Sequence, residues 1–82
     1  MSEIWIVIVQ DRHTDTDALP YTTEEAAVAK ARAIAREYAW HPEDAKDGTL
    51  NAEMRRDGWV LWLPYGTEGD SVRVVRREMD AP

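Results

Sequence analysis

The sequence predicts an α+β domain in which one helix packs on one face of a mainly antiparallel sheet. Three observations support this class: a β-branched and aromatic run near the N-terminus, an alanine-rich segment after it, and alternating apolar residues between glycine turns in the C-terminal half. At 82 residues, we expect a single domain, residues 1–82, with a thin core.

The first strand is predicted at about residues 3–11, because positions 4–9 are β-branched or aromatic without interruption. Both alternating sets of side chains are apolar there, which indicates a strand inside the sheet. A weak second strand is predicted at 18–21. It belongs at an edge, because Pro20 has no N–H to donate to a neighbouring strand.

A helix is predicted at about residues 23–40. The segment Thr22-Thr23-Glu24-Glu25 has the spacing of a capping box, with Thr22 as the cap. Pro42 forbids continuation and disfavours helical geometry at the residue before it. One stripe of mostly small side chains would face the sheet, namely Ala27, Ala31, Ile34, Ala35 and Tyr38.

Three strands are predicted in the C-terminal half, at 49–56, 59–65 and 71–78. The pair Asp57-Gly58 is typical of a two-residue hairpin turn, and Gly66 to Gly69 can close a second hairpin. These turns set Leu63 opposite Val72 and place Trp62 between Glu53 and Arg73. A slip of one residue would reverse every face.

The predicted register gives this meander two different faces. The core face carries Leu50, Ala52, Met54, Leu61, Leu63, Val72 and Val74. The opposite face has no second helix to cover it, and one apolar set of the first strand joins it. Its candidate binding residues are Trp62, Arg73, Glu53, Val60, Val75, Arg55 and Arg77.

A large uncovered apolar face is typical of an interaction site. We therefore expect a non-catalytic protein-interaction domain that self-associates as a homodimer through this face. Three alternatives remain open. The loop 41–48, with Trp40 at its entry, would cover the face internally; the tryptophans and arginines would bind single-stranded nucleic acid; or the chain is an unrecognised enzyme.

The segment 11–17 is the main candidate for chemistry, because Asp11, His13, Asp15 and Asp17 stand at alternate positions as in a calcium loop. The match fails at positions six and twelve, where Thr16 and Thr22 replace the required Gly and Glu. Two histidines without cysteine do not support a closed zinc site. Neither serine lies on a nucleophile-elbow pattern. We expect no metal, no cofactor and no catalysis.

Charge and hydropathy point to a cytoplasmic protein. A net charge of −6 argues against bulk attraction to nucleic acid or to an anionic membrane. The longest apolar run, at positions 4–9, is far shorter than the ~20 residues of a membrane span, and the N-terminus lacks the basic region of a signal peptide.

Four motifs carry a family resemblance: Asp11-Arg12-His13-Thr14-Asp15, a helix opening with Thr-x-Glu, the triplet at 57–59, and Glu68-Gly69-Asp70-Ser71-Val72-Arg73-Val74. Together they resemble a group of small uncharacterised actinobacterial proteins that occur in phage or mobile-element settings. The resemblance spans most of the chain. It implies a bacterial or phage cytosolic setting, and it assigns no activity and no functional residues.

Overall fold

Four antiparallel strands and one main helix dominate the fold. The computed structural model describes residues 2–11, 16–39, 46–65 and 69–79. The elements are β1 (Ser2–Gln10), β2 (Asp17–Tyr21), α1 (Glu24–Tyr38), a short α2 (Ala52–Arg56), β3 (Trp59–Pro64) and β4 (Ser71–Met79). The strand order is β2-β1-β4-β3. The predicted α+β class, with a mainly antiparallel sheet and one main helix, is confirmed.

Strand β1 lies inside the sheet, as its apolar sequence predicts, and pairs with β2 on one side and β4 on the other. Val7 pairs with Leu19 and Val74, whereas the neighbouring Ile6 pairs with Pro20 and Val75. Because side chains alternate along a strand, the set containing Val7 faces the helix and the isoleucines face away from it. The weak strand predicted at 18–21 is present as β2 and is an edge strand.

Helix α1 covers one face of the sheet and contacts all four strands. Its cap is Thr23, one residue after the predicted Thr22, and the Thr23 side chain accepts a hydrogen bond from the N–H of Ala26 at 3.2 Å. Four residues of the predicted stripe are buried, namely Ala27, Ala31, Ile34 and Ala35, while Tyr38 at the last turn is exposed. Small buried side chains allow the helix axis to lie close to the sheet.

The strand predicted at 49–56 is wrong, because this segment forms α2. The Asn51 side chain caps the helix by accepting from the N–H of Met54 at 2.8 Å. Gly58, with φ of +90°, then turns the chain into β3. The predicted hairpin turn at Asp57-Gly58, and with it the pairing of Glu53 with Trp62, is also wrong.

The β3–β4 register is confirmed where the sequence predicts it: Leu61 pairs with Val74, Trp62 with Arg73, and Leu63 with Val72. Near the start of β3 the register shifts, since Trp59 pairs with Val75 and leaves Val60 as the extra residue of a bulge. The bulge turns Val60 toward the core cluster, against which it packs. Trp59 therefore takes the face on which Val60 was predicted.

Both outer edges of the sheet are poor partners for a further strand. On β2, positions 18 and 20 point outward: the N–H of Ala18 donates to the Asp17 side chain at 2.9 Å, and Pro20 has no N–H. On β3, the outward carbonyl of Trp62 accepts from the N–H of Gly48 at 2.7 Å, and Pro64 has no N–H.

Candidate functional site: the open sheet face

The face of the sheet turned away from α1 is the main candidate for a binding surface, and we call it the open face. Among the described elements, α1 lies on the opposite side and α2 contacts only β3. The strand pairing places these residues on the open face: Ser2, Ile4, Ile6, Ile8, Gln10, Ala18, Pro20, Trp59, Trp62, Pro64, Ser71, Arg73, Val75, Arg77 and Met79.

Two rows of paired residues cross the centre of the open face from one edge to the other. The first row runs Pro20, Ile6, Val75, Trp59 from β2 to β3. The second row runs Ala18, Ile8, Arg73, Trp62 in the same direction. Both rows begin with an exposed small or compact residue on β2 and end with a half-buried tryptophan on β3.

The strand residues of the open face include no carboxylate, although the chain carries a net charge of −6. The strand acids Glu3, Asp17 and Glu78 all fall in the opposite alternation. Arg73 lies with its guanidinium carbon 5.0 Å from the ring centre of Trp59, and it donates to the Gln10 side chain at 3.2 Å. A cation over an indole contributes roughly 0.5–1 kcal/mol at an exposed site.

The seven predicted binding residues are only partly brought together. Four of them share the open face, namely Trp62, Arg73, Val75 and Arg77. Val60 packs against the core instead, because the β3 bulge reverses its direction. Glu53 and Arg55 are on α2, so neither faces Trp62 across a strand pair. Val75 is only 2% exposed, so a partner would contact the larger side chains that pair with it, Ile6 and Trp59.

Arg77 lies in the C-terminal part of β4, and the turn that follows α2 holds its side chain in place. Its guanidinium donates to the carbonyls of Asp57 and Arg76. The N–H of Arg76 also donates to the carbonyl of Gly58 at 2.7 Å. These bonds join the turn to β4, so Arg77 has a structural role that the sequence did not indicate.

Part of the predicted internal cover is present at the β3 edge. Gly48 donates to the Trp62 carbonyl, and its Cα lies so near the indole that a Cβ would stand 2.8 Å from Cζ3 and closer still to Cε3. On the other side, Asp47 pairs with Arg32 of α1 at 2.6 Å. This bond raises the pKa of Arg32 and lowers the pKa of Asp47. Residues 47–48 thus pass around the β3 edge of the sheet, and Gly48 shields one side of the Trp62 indole. Residues 41–45 and Trp40, which were also predicted to cover the face, lie outside the described residues.

The metal candidates of the segment 11–17 have other roles where the structure describes them. Asp11 accepts a hydrogen bond from the hydroxyl of Tyr65 at 2.7 Å, and both residues are buried. Asp17 caps the N–H of Ala18. His13 and Asp15 lie outside the described residues. Within the described ranges, no three His, Cys, Asp or Glu side chains are close enough to hold a metal ion.

Burial, together with the hydrogen bond to Asp11, raises the pKa of Tyr65. A raised pKa favours the neutral phenol in the fold, so its stabilising contribution is complete below the unfolded pKa of about 10 and is lost as pH rises above it. We expect Tyr65→Phe to cost about 1–3 kcal/mol at pH 7, since a buried acid loses a donor. We also expect the variant to lose less stability than the wild type between neutral and strongly alkaline pH.

Urea unfolding of both proteins at several pH values measures this difference. Tyr21→Phe is the matched control, because Tyr21 is half-buried at the end of β2. Equal alkaline losses in the wild type and in Tyr65→Phe would contradict the assignment.

Comparisons of the chain with family models, with curated proteins and with solved structures find no match. None of the helices in the described ranges is long and apolar enough to cross a membrane. The open face is therefore the main guide to function. Sequence reasoning missed Trp59, Ala18 and Pro20 as members of this face, because their positions depend on the bulge and on the β1–β2 register.

Proposed function

We propose that this chain is a non-catalytic protein-interaction domain that self-associates through its open face. The observation that carries the proposal is the row Pro20, Ile6, Val75, Trp59, which is apolar across all four strands. In soluble proteins, contiguous apolar patches of a few hundred Å² mark interaction sites. The partner that the chain itself supplies at matching concentration is a second copy, and two-fold pairing would bury Pro20, Ile6 and Trp59 of this row on both copies at once.

The size of the open face supports a weak dimer. Strands of nine, five, six and nine residues, at about 3.4 Å per residue and about 4.8 Å between strands, give a projected area of roughly 470 Å². Two copies would bury roughly 950 Å², which is close to the ~1,000 Å² lower limit of specific interfaces. We therefore expect a dissociation constant in the micromolar range or above.

The edges of the sheet favour the face as the contact surface. Pro20 and Pro64 occupy outward positions on the two edge strands, and Gly48 already bonds the outward carbonyl of Trp62. A strand added at either edge would find few free backbone groups. Association of two copies is therefore expected through side chains, with the apolar row at the centre of the contact.

Sedimentation velocity over a concentration series from low micromolar to several hundred micromolar tests the proposal. We expect the wild type to pass from monomer to dimer, and Ala18→Arg to remain monomeric, because it places a charge on the open face. Ala33→Arg is the matched control: it adds the same charge at an exposed position of α1, on the other side of the molecule. A wild type that stays monomeric throughout would overturn self-association.

Single-stranded nucleic acid is the second candidate partner, and the absence of carboxylates among the strand residues of the open face favours it. Trp59, Trp62 and Arg73 offer stacking surfaces and a cation there. Salt separates the two partners. Nucleic-acid binding weakens steeply as salt rises, whereas dimerisation of two copies that each carry −6 should hold or strengthen, because salt screens their repulsion.

Titration with single-stranded oligonucleotides, followed by tryptophan fluorescence at low and high salt, measures the second candidate. Quenching that disappears at high salt and in Arg73→Gln would favour nucleic acid. No quenching at low salt would dispose of it. The phage or mobile-element setting implied by the family resemblance stays a prediction and bears on neither partner.

A further inference from the structure

We infer that the second copy packs on the open face about a two-fold axis parallel to the strands, so that the β3 tryptophans of each copy lie on Ala18 and Pro20 of the partner subunit. This inference rests on the proposed self-association and names the surface of β2 as the receiving site. It derives from the uneven height of the open face and from the register that aligns its two central rows.

The open face is high along one edge and low along the other. Trp59 and Trp62 stand on β3 at one edge of the sheet, and both are half-buried. Ala18 and Pro20 stand on β2 at the opposite edge, and both are exposed. Between the edges stand Ile6 and Ile8 of β1, the nearly buried Val75 of β4, and Arg73, whose guanidinium lies over the Trp59 ring. The surface is therefore a wedge, and a flat partner would leave a gap along β2.

The open face of a second copy fills this gap in only one of the two orientations in which the two-fold axis lies in the plane of the interface, either parallel or perpendicular to the strands. An axis parallel to the strands places β3 over the partner's β2, so high meets low on both sides. An axis perpendicular to the strands and in the plane of the interface places β3 over the partner's β3, so indoles meet indoles and the β2 edges remain apart. Close packing of an interface centre to the density of a protein interior favours the first orientation.

The register supports the same orientation at the level of single residues. Trp59 and Pro20 belong to one row and Trp62 and Ala18 to the other, so members of each pair lie at the same height along the strands. An axis parallel to the strands preserves that height, which sets Trp62 against the partner's Ala18. Aligned sheets cross at about 30°, and this rotation displaces the central rows less than the strand ends.

Arg73 keeps its contacts within its own copy in this orientation. Its row places it above Ile8 of the partner subunit, against which the aliphatic part of the arginine can pack. The guanidinium keeps its contact with Trp59 and with Gln10 near the end of β1. By this register the two arginines of a dimer lie at the same height along the strands.

A double-mutant cycle on Ala18 and Trp62 tests the orientation. Within one copy these residues are three strand spacings apart, about 14 Å, so they cannot contact each other. Ala18→Trp should raise the dissociation constant roughly tenfold or more, because two indoles collide at one site. Trp62→Ala should raise it by a similar factor, because an indole is lost. The double variant should restore it to within roughly threefold of the wild type, since the indole now stands on β2 and the small residue on β3.

The outcomes separate the two proposals. Additive losses in the double variant, with a dimeric wild type, would overturn the orientation and leave self-association intact. A monomeric wild type would overturn both. Trp62 also contacts Gly48 within one copy, so replacing it removes an internal contact as well. The melting temperature of each variant is therefore measured first, at a concentration where the wild type is monomeric.

A second measurement does not depend on replacing Trp62. Pro64→Cys and Ala18→Cys lie toward the same end of the open face on opposite edges, and the chain has no cysteine of its own. A short bifunctional thiol reagent should link a mixture of the two variants more efficiently than either variant alone. No excess of linkage in the mixture over the two single-variant samples would overturn this orientation.

Discussion

Val7→Asp is expected to unfold the domain, with a loss of about 4 kcal/mol or more in the free energy of unfolding. Val7 is fully buried between α1 and the sheet, and an isolated carboxylate at such a site has no partner to offset its lost hydration. A domain of this size has a total stability of roughly 4–12 kcal/mol, so little would remain. Circular dichroism during urea titration measures the loss.

The neighbouring Ile6→Asp is the matched variant, because it places the same charge one residue away on the open face. We expect it to fold, with a loss of roughly 1–2 kcal/mol, and to remain monomeric where the wild type dimerises. If Ile6→Asp unfolds as fully as Val7→Asp, the open face is a second core rather than a binding surface.

Gly58→Ala is expected to cost about 2–5 kcal/mol, the second largest effect. Gly58 has φ of +90°, a region that costs a residue with a side chain about 1–2 kcal/mol. A Cβ would also stand 2.5 Å from the carbonyl oxygen of Arg76 and 2.7 Å from Nη1 of Arg77. Because the oxygen belongs to the backbone of a paired strand, it cannot move aside without disturbing β4.

Gly69→Ala is the control for this prediction, because it separates backbone strain from steric overlap. Gly69 has nearly the same φ, +89°, but a Cβ there would meet no atom within 4 Å. We expect Gly69→Ala to cost only the strain, about 1–2 kcal/mol. Chemical denaturation of both variants tests the difference, and equal losses would contradict the close approach of the turn to β4.

The part of the site that the sequence predicts best is the β3–β4 pair. The hairpin predicted between Gly66 and Gly69 sets Trp62 opposite Arg73, and the structure confirms this pairing. The bulge at Val60 has no signature in a single sequence, since an extra residue changes the face of Trp59 while leaving composition untouched. The prediction therefore placed Val60 on the open face and overlooked Trp59.

The segment 49–56 shows why a short alternating pattern misleads. Leu50, Ala52 and Met54 have period two, but the residues from Ala52 to Arg56 are all good helix formers. Asn51 is a preferred N-cap, Glu53 is in the first turn, and basic residues are in the last turn, where the helix dipole favours them. These local interactions decide the outcome because no described strand pairs with this segment.

The prolines on the two edge strands also limit how large an assembly can become. Edge strands with free backbone groups recruit further chains without end, as in fibrils. Here Pro20 and Pro64 interrupt both edges, and each copy has one open face. In the dimer proposed above, the two copies cover each other's open face, and the described residues present no second face of this kind, so we expect growth to stop at a pair.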